Sequence, residues 1–202
     1  MQSTPRRLIF LLVSGLVLSL IFAAAAGAQS GADLWVDANE ADLPAGGERL
    51  IVPQRYRTLT LDSDGLLALL QSAPAEGSEA AGQGSVILTL PLPDGAWARF
   101  RLVESPIMAP ELAARFPEIR TYAGQGVDDP TAVTRLDWTP LGFHAIILSS
   151  TGTVYIDPYR RGDTRHYISY DTRDFQAPAD KRFIETLPLD DGMGATIAGL
   201  VA

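Results

Sequence analysis

The sequence predicts an α+β domain that is mostly antiparallel β-structure, arranged as a meander or a sandwich-like pair of sheets, with two short helices. Short segments of alternating apolar and polar residues recur between residues 56 and 170. Proline- and glycine-containing turns separate them, and only two segments have helical spacing. The chain has no cysteine, so a buried apolar core rather than disulfides must stabilise this domain.

The first predicted elements are a strand and a helix. Residues 56–61 read Y-R-T-L-T-L, an alternation typical of a strand. A helix over residues 65–71 follows, with Asp62 or Ser63 as its N-cap and a leucine-rich apolar face. Residues 75–85 are rich in Gly, Glu and Ala, which predicts an exposed linker.

From residue 86 onward the pattern is β-rich. Residues 86–90 and 97–103 form a predicted hairpin around a Pro- and Gly-containing turn. A short helix is predicted over 110–116, with Pro110 at its first position. After it come a short strand over 119–122 and a loop at Gly124-Gln125-Gly126, whose glycines we interpret as permitting a positive φ. Four further strands are predicted over residues 132–139, 143–148, 153–157 and 166–170. The core is expected to include Phe100, Leu102, Phe143, Ile147 and Ile156.

The N-terminus predicts export. Arg6 and Arg7 precede an apolar run over 8–22, and Ala26-Gly27-Ala28 is a small-x-small cleavage site. The alternative is an uncleaved anchor, but this fifteen-residue run of apolar and small residues spans only about 22 Å of a roughly 30 Å hydrocarbon layer. We therefore assign residues 1–28 to a signal peptide, 29–55 to a flexible leader, 56–175 to the domain and 176–202 to a polar, disordered tail. The expected location is secreted or periplasmic.

Charge restricts the partners. Without Arg6 and Arg7 the chain keeps 14 basic residues against 24 acidic ones, a net charge of −10. Such a surface repels nucleic acid and anionic lipid, so neither nucleic acid nor, after signal cleavage, a membrane is an expected partner.

The search for catalytic residues predicts no catalytic, cofactor-binding or metal site and no cofactor. His144 lies among apolar neighbours and is expected to be a hydrogen-bonded sheet residue, whereas His166 opens a strand and is expected to be exposed. Two isolated histidines without cysteine do not make a zinc site, and neither H-E-x-x-H nor G-x-S-x-G occurs. Asp128 and Asp129 lie in a loop over 123–130 that we expect to present them without obvious packing, either as an interaction surface or as a solvated turn.

Several long motifs in one order are similar to a known family. They are L-P-L-P-D-G, F-R-L-V-E-S-P-I-M-A-P-E-L, F-P-E-I-R-T-Y-A-G-Q-G-V-D-D-P, G-F-H-A-I-I-L-S and G-T-V-Y-I-D-P-Y, between residues 90 and 159. Together with Y-R-T-L-T-L-D and L-L-Q-S-A-P upstream, they resemble the N-terminal, prodomain-like region of bacterial secreted reprolysin-like zinc metalloproteases. The resemblance covers roughly residues 56–170.

The resemblance implies a non-catalytic module that serves as a folding aid or a cleft-occluding inhibitor of a metalloprotease catalytic domain, in cis or in trans. The H-E-x-x-H-x-x-G-x-x-H motif of such a catalytic domain is not found in these 202 residues, so no catalytic residue is transferred to this chain. A cysteine that blocks zinc is likewise not available. The alternative is a free-standing secreted β-rich protein-binding module; an enzyme in its own right is the least favoured interpretation, since no catalytic constellation is found.

Overall fold

A computed structural model describes residues 34–79, 81 and 86–176. Within these ranges one antiparallel sheet of nine strands has the order β1-β2-β9-β8-β7-β6-β5-β4-β3. The strands are β1 (Trp35–Asp37), β2 (Arg57–Leu61), β3 (Val86–Pro91), β4 (Trp97–Glu104), β5 (Arg120–Gly126), β6 (Val133–Thr139), β7 (Gly142–Ser149), β8 (Gly152–Pro158) and β9 (His166–Asp171). The α-helices whose bounds lie within the described residues are α1 (Ser63–Gln71) and α2 (Pro110–Ala113).

The predicted fold class is confirmed: the chain is α+β and mostly antiparallel, and strands β3 to β9 form the meander. The sheet curls into a nearly closed barrel instead of splitting into two layers. Its predicted strands are all present, with boundaries shifted by a few residues, while the second helix ends at Ala113 rather than at residue 116. No helix among the described residues is long and apolar enough to cross a membrane.

Side chains connect the two edge regions of the curled sheet, where β2 and β9 approach the end of β3. The Arg57 guanidinium, at the start of β2, donates hydrogen bonds to the carbonyls of Leu92 and Ala96, each at 3.1 Å, just beyond β3. It also lies 4.3 Å from the centre of the Trp97 ring. The Ser169 hydroxyl of β9 donates to the Pro91 carbonyl at 2.8 Å. These contacts hold the curled sheet together at a seam that lacks a strand-to-strand ladder.

Helix α1 follows the sequence prediction closely. The Asp62 carboxylate accepts a hydrogen bond from the Gly65 backbone N–H at 3.1 Å and caps the helix. Leu66 and Leu70, one turn apart, are buried in the main core. The helix therefore contributes its apolar face to the barrel interior.

The barrel interior is packed with apolar side chains. All five residues predicted for the core are buried. The central aromatic cluster consists of Trp35, Phe143 and Tyr167, with ring centres 5.5 to 6.2 Å apart. The Tyr167 hydroxyl accepts a hydrogen bond from the Phe143 backbone N–H at 3.1 Å, so this buried phenol has a polar partner.

Residues 34–55 differ from the flexible leader that composition predicts over 29–55. β1 pairs with β2, and the chain after it covers the outer face of β8 and β9. The Glu40 carboxylate is the anchor: it accepts hydrogen bonds from the hydroxyls of Tyr56 at 2.6 Å and Tyr159 at 2.7 Å and pairs with Arg49 at 3.2 Å. A Gly- and Asp-rich composition cannot show such long-range contacts. The predicted signal peptide, residues 29–33 and residues 177–202 of the predicted tail lie outside the described residues.

Gly124 and Gly126 require a second correction. Both belong to β5 rather than to a loop, and neither is among the glycines with positive φ. Glycine is needed at both positions because a Cβ atom would not fit between the neighbouring atoms. A Cβ on Gly124 would lie 2.6 Å from the Thr134 methyl and 2.8 Å from a Leu102 methyl, and a Cβ on Gly126 would overlap the Asp129 carbonyl oxygen.

Candidate functional site: the mouth of the barrel

One end of the barrel opens into a cavity, which we call the mouth. In an antiparallel meander alternate turns lie at the same end, so the turns β3–β4, β5–β6 and β7–β8 all border it. The 3-10 helix Thr172–Asp174 after β9 and the residues just before β2 complete the border. The cavity volume is about 630 Å³, within the range of sites that hold a small molecule or a few side chains of a peptide.

The inner surface of the mouth is apolar. Phe100, Ala132 and Ile147 are buried residues of the core that face it, and the partly buried Leu92 and Val154 extend this surface outward. We call these five residues the floor. The floor gives the mouth a surface that favours apolar side chains over water.

The edge of the mouth is charged, with five aspartates and three arginines, which we call the rim: Asp94, Asp128, Asp129, Asp171, Asp174, Arg55, Arg99 and Arg173. Each rim arginine is paired with an aspartate. Arg99 makes a two-point contact with Asp128 at 2.9 and 2.5 Å, and Arg173 makes one with Asp171 at 2.9 and 2.7 Å.

The third pair of the rim joins Arg55 to Asp174 at 2.9 Å. Pairing with arginine changes the pKa of two of these aspartates. The hydrogen bond from Arg99 lowers the pKa of Asp128, and the hydrogen bond from Arg173 lowers the pKa of Asp171. Five aspartates against three arginines give the rim a formal excess of two negative charges.

The loop singled out from the sequence contributes to this rim but not as expected. Residues 123–126 belong to β5, and Asp128 is paired with Arg99. Asp129 caps its own turn, because its carboxylate accepts from the Thr131 N–H at 2.9 Å and the Thr131 hydroxyl at 2.6 Å. The expectation that the two aspartates are presented without packing partners is thus corrected: both have partners within the domain.

Sequence reasoning did not single out Arg55, Asp171, Arg173 or Asp174. They lie at positions that look like ordinary loop residues along the chain. The predicted meander contained one indication, because alternate turns of a meander lie at the same end of the sheet. Using it requires knowing that the sheet curls enough to bring β9 and β2 close to β3.

A second group of titratable residues lies on the outer face of the sheet. His144 of β7 is opposite Asp137 of β6, and the two side chains are 3.1 Å apart. The hydrogen bond with Asp137 raises the pKa of His144. Burial raises the pKa of the neighbouring Asp157, whose carboxylate accepts a hydrogen bond from the Tyr170 hydroxyl at 2.8 Å. His144 is therefore a hydrogen-bonded sheet residue, as expected from the sequence.

His166 is less exposed than expected. Only 17% of its side chain is accessible, and its Nδ1 lies 2.9 Å from an Asp163 carboxylate oxygen. Within the described ranges, His, Asp and Glu side chains do not converge in a group of three or more that could hold a metal ion.

Two short hydroxyl side chains, Ser149 and Thr151, also line the mouth. The side chains that line it include no histidine, cysteine or lysine, and the hydroxyls of Ser149 and Thr151 contact each other at 2.9 Å instead of a base. Comparisons with known proteins add no assignment: no protein-family model, no curated protein and no solved structure matches this chain.

Proposed function

We propose that this chain is an exported, non-catalytic, prodomain-like module of a zinc metalloprotease, which binds the catalytic domain as a folding aid or as a cleft-occluding inhibitor. The motif resemblance over residues 56–170 suggests the class of partner. The observation that carries a binding role is the mouth, where an apolar floor is surrounded by a rim of aspartates and arginines.

This combination is what a polypeptide partner needs. Protein interfaces place apolar side chains in a central, water-excluding region and polar groups at the edge. The floor provides the central apolar region, and the rim provides the polar groups at the edge. The paired arginines and aspartates are already oriented by each other, so little side-chain entropy is lost when a partner contacts them.

Charge gives the proposal a physical consequence. A body with net charge −10 associates fastest with a basic or metal-bearing face, and salt slows that association. Inhibition of the protease should therefore weaken as ionic strength rises, mainly through a slower association rate.

The second candidate function is a free-standing secreted binding module. The mouth is favourable to this alternative as well, since its floor and rim are formed entirely by residues of this chain. The two functions differ in the partner: the first requires a zinc-protease catalytic domain, and the second does not.

The test is to mix residues 29–202 with a reprolysin-like catalytic domain and to measure both complex formation and residual protease activity. We expect inhibition at micromolar concentrations that weakens with salt. The Val154→Asp variant, which places a charge on the floor, should bind more weakly than the Leu141→Asp control on the opposite end of the barrel. The module alone should not cleave casein with or without added zinc.

Two results would discard the inhibitor proposal. The first is no complex at tens of micromolar with both proteins folded, which leaves the free-standing binding module. The second is equal inhibition by the Val154→Asp and Leu141→Asp variants, which would show that binding does not use the mouth.

A further inference from the structure

The chain leaves the described domain at the rim of the mouth. The backbone carbonyl of Asp174 accepts a hydrogen bond from the Gln54 N–H at 2.7 Å, and the Phe175 ring packs 6.0 Å from the Tyr170 ring. These contacts fix the position from which the following residues depart. Since Asp174 is itself a rim residue, whatever follows Gln176 begins next to the cavity.

The sequence after this exit matches the chemistry of the mouth. Residues 181–189 read K-R-F-I-E-T-L-P-L: a basic pair, then Phe183 and Ile184, then two leucines around a proline. The rim has two more aspartates than arginines, which favours Lys181 and Arg182. The floor favours the apolar residues that come directly after them.

We propose that the mouth is the docking site of the chain's own segment 181–189, with the basic pair at the rim and Phe183 and Ile184 against the floor. The segment binds the mouth of its own molecule, so any partner that uses the mouth has to displace this segment.

The length of the connection permits docking. At roughly 3.3–3.6 Å per residue, the chain between Gln176 and Phe183 extends at most about 24 Å. Asp174 lines the cavity two positions before Gln176, so this length is enough to reach the floor. A segment tethered this closely has an effective concentration in the millimolar range. Even a weak peptide interaction is then mostly formed within one molecule.

The chain contains no cysteine, which makes disulfide trapping a direct test. Thr151→Cys places a thiol on the exposed β7–β8 turn at the mouth, and Ile184→Cys places one in the segment. The matched control pairs Ile184→Cys with Leu141→Cys on the exposed β6–β7 turn at the opposite end of the barrel. All variants are made in the chain 29–202.

Docking predicts intramolecular crosslinking at Thr151 at a rate about tenfold or more above that at Leu141 under mild oxidation. Replacing Lys181 and Arg182 by glutamate should slow crosslinking at Thr151 severalfold and leave crosslinking at Leu141 unchanged. Added salt should act in the same direction as these charge changes.

Three outcomes would overturn the inference: equal crosslinking rates at Thr151 and Leu141, indifference of the Thr151 rate to the charge change, or crosslinks that join two chains rather than one. The last result would assign the mouth to a second copy. The readout uses this chain alone, so failure here is separate from failure of the proposed protease partnership.

Discussion

Replacing Gly124 by Ala distinguishes between two roles of this glycine. If its role were only backbone freedom, alanine would stabilise the protein by about 0.4–1 kcal/mol, because the native backbone has no positive φ there and alanine restricts the unfolded chain. The structure predicts the opposite sign. The new methyl group would lie 2.6 Å from the Thr134 methyl, 2.8 Å from a Leu102 methyl and 3.1 Å from the Phe100 Cβ.

The expected cost of Gly124→Ala is the cost of overpacking, about 1–3 kcal/mol in the free energy of unfolding. Thr134→Ser should relieve it. Serine keeps the hydroxyl that donates to the Ile146 carbonyl at 2.9 Å but removes the methyl that the new Cβ would meet. Alone, Thr134→Ser should cost about 0.5–1.5 kcal/mol, because it leaves a small gap in the core.

In the double variant, the alanine methyl occupies the space of the lost threonine methyl. The double variant should therefore be about 1–2 kcal/mol more stable than the sum of the two single changes predicts. The assay is urea unfolding at equilibrium, followed by far-UV circular dichroism, with the m-values checked for constancy.

Gly126→Ala is the matched control. Its Cβ would meet the Asp129 backbone carbonyl, which no side-chain change removes, so Thr134→Ser should give no rescue. The reasoning is refuted if Gly124→Ala is neutral or stabilising, if the Gly124 and Thr134 changes are additive within about 0.5 kcal/mol, or if Gly126→Ala is rescued equally.

Three further predictions concern the core, the outer face and the N-terminus. Phe143→Ala removes a fully buried ring and should cost about 3–5 kcal/mol in chemical denaturation, with a loss below about 1 kcal/mol contradicting its position in the aromatic cluster. The pKa of His144 is raised in the folded state by Asp137, so its stabilisation is complete below the unfolded pKa of about 6.5 and is lost as the pH rises through the folded pKa. The stability lost in His144→Gln, measured by urea unfolding at a series of pH values, should accordingly be largest at acidic pH and shrink toward alkaline pH; the reverse trend would contradict the ion pair. Intact mass of exported protein should show a start at Gln29 or within a few residues of it, and recovery of full-length protein from the cytosol would contradict cleavage.

The elements were predictable because their signals are local. The apolar segment 86–90, the alternating segment 97–103 and the turn between them specify a hairpin, and Asp62 followed by a leucine-rich stretch specifies a capped helix. Phe143, in a segment that is apolar apart from His144, could be assigned to the core from its neighbours alone. Each of these inferences needs only a few consecutive residues.

The mouth was not predictable because it depends on contacts between distant residues. The pairs Arg99–Asp128 and Arg55–Asp174 join positions far apart in the sequence, and both depend on which strands are neighbours in the sheet, β4 with β5 and β2 with β9. The two glycines of β5 show the same limit. Sequence identifies a small residue, but only the packing around it shows whether conformational freedom or space requires glycine.

The pairing of β2 with β9 has a consequence for how the chain folds. Thr58 lies opposite Ile168, 110 positions later, whereas β3 to β9 pair in sequence order and are joined by connections of at most 15 residues. Local hairpins can form in microseconds, but closing such a long loop carries an entropic cost that slows the final step. Strands β1 and β2 can therefore join the sheet only after β9 is available. During synthesis or export from the N-terminus, β1 and β2 emerge first but join the rest of the sheet last, and the domain stays incomplete until almost all of its described residues are free to fold.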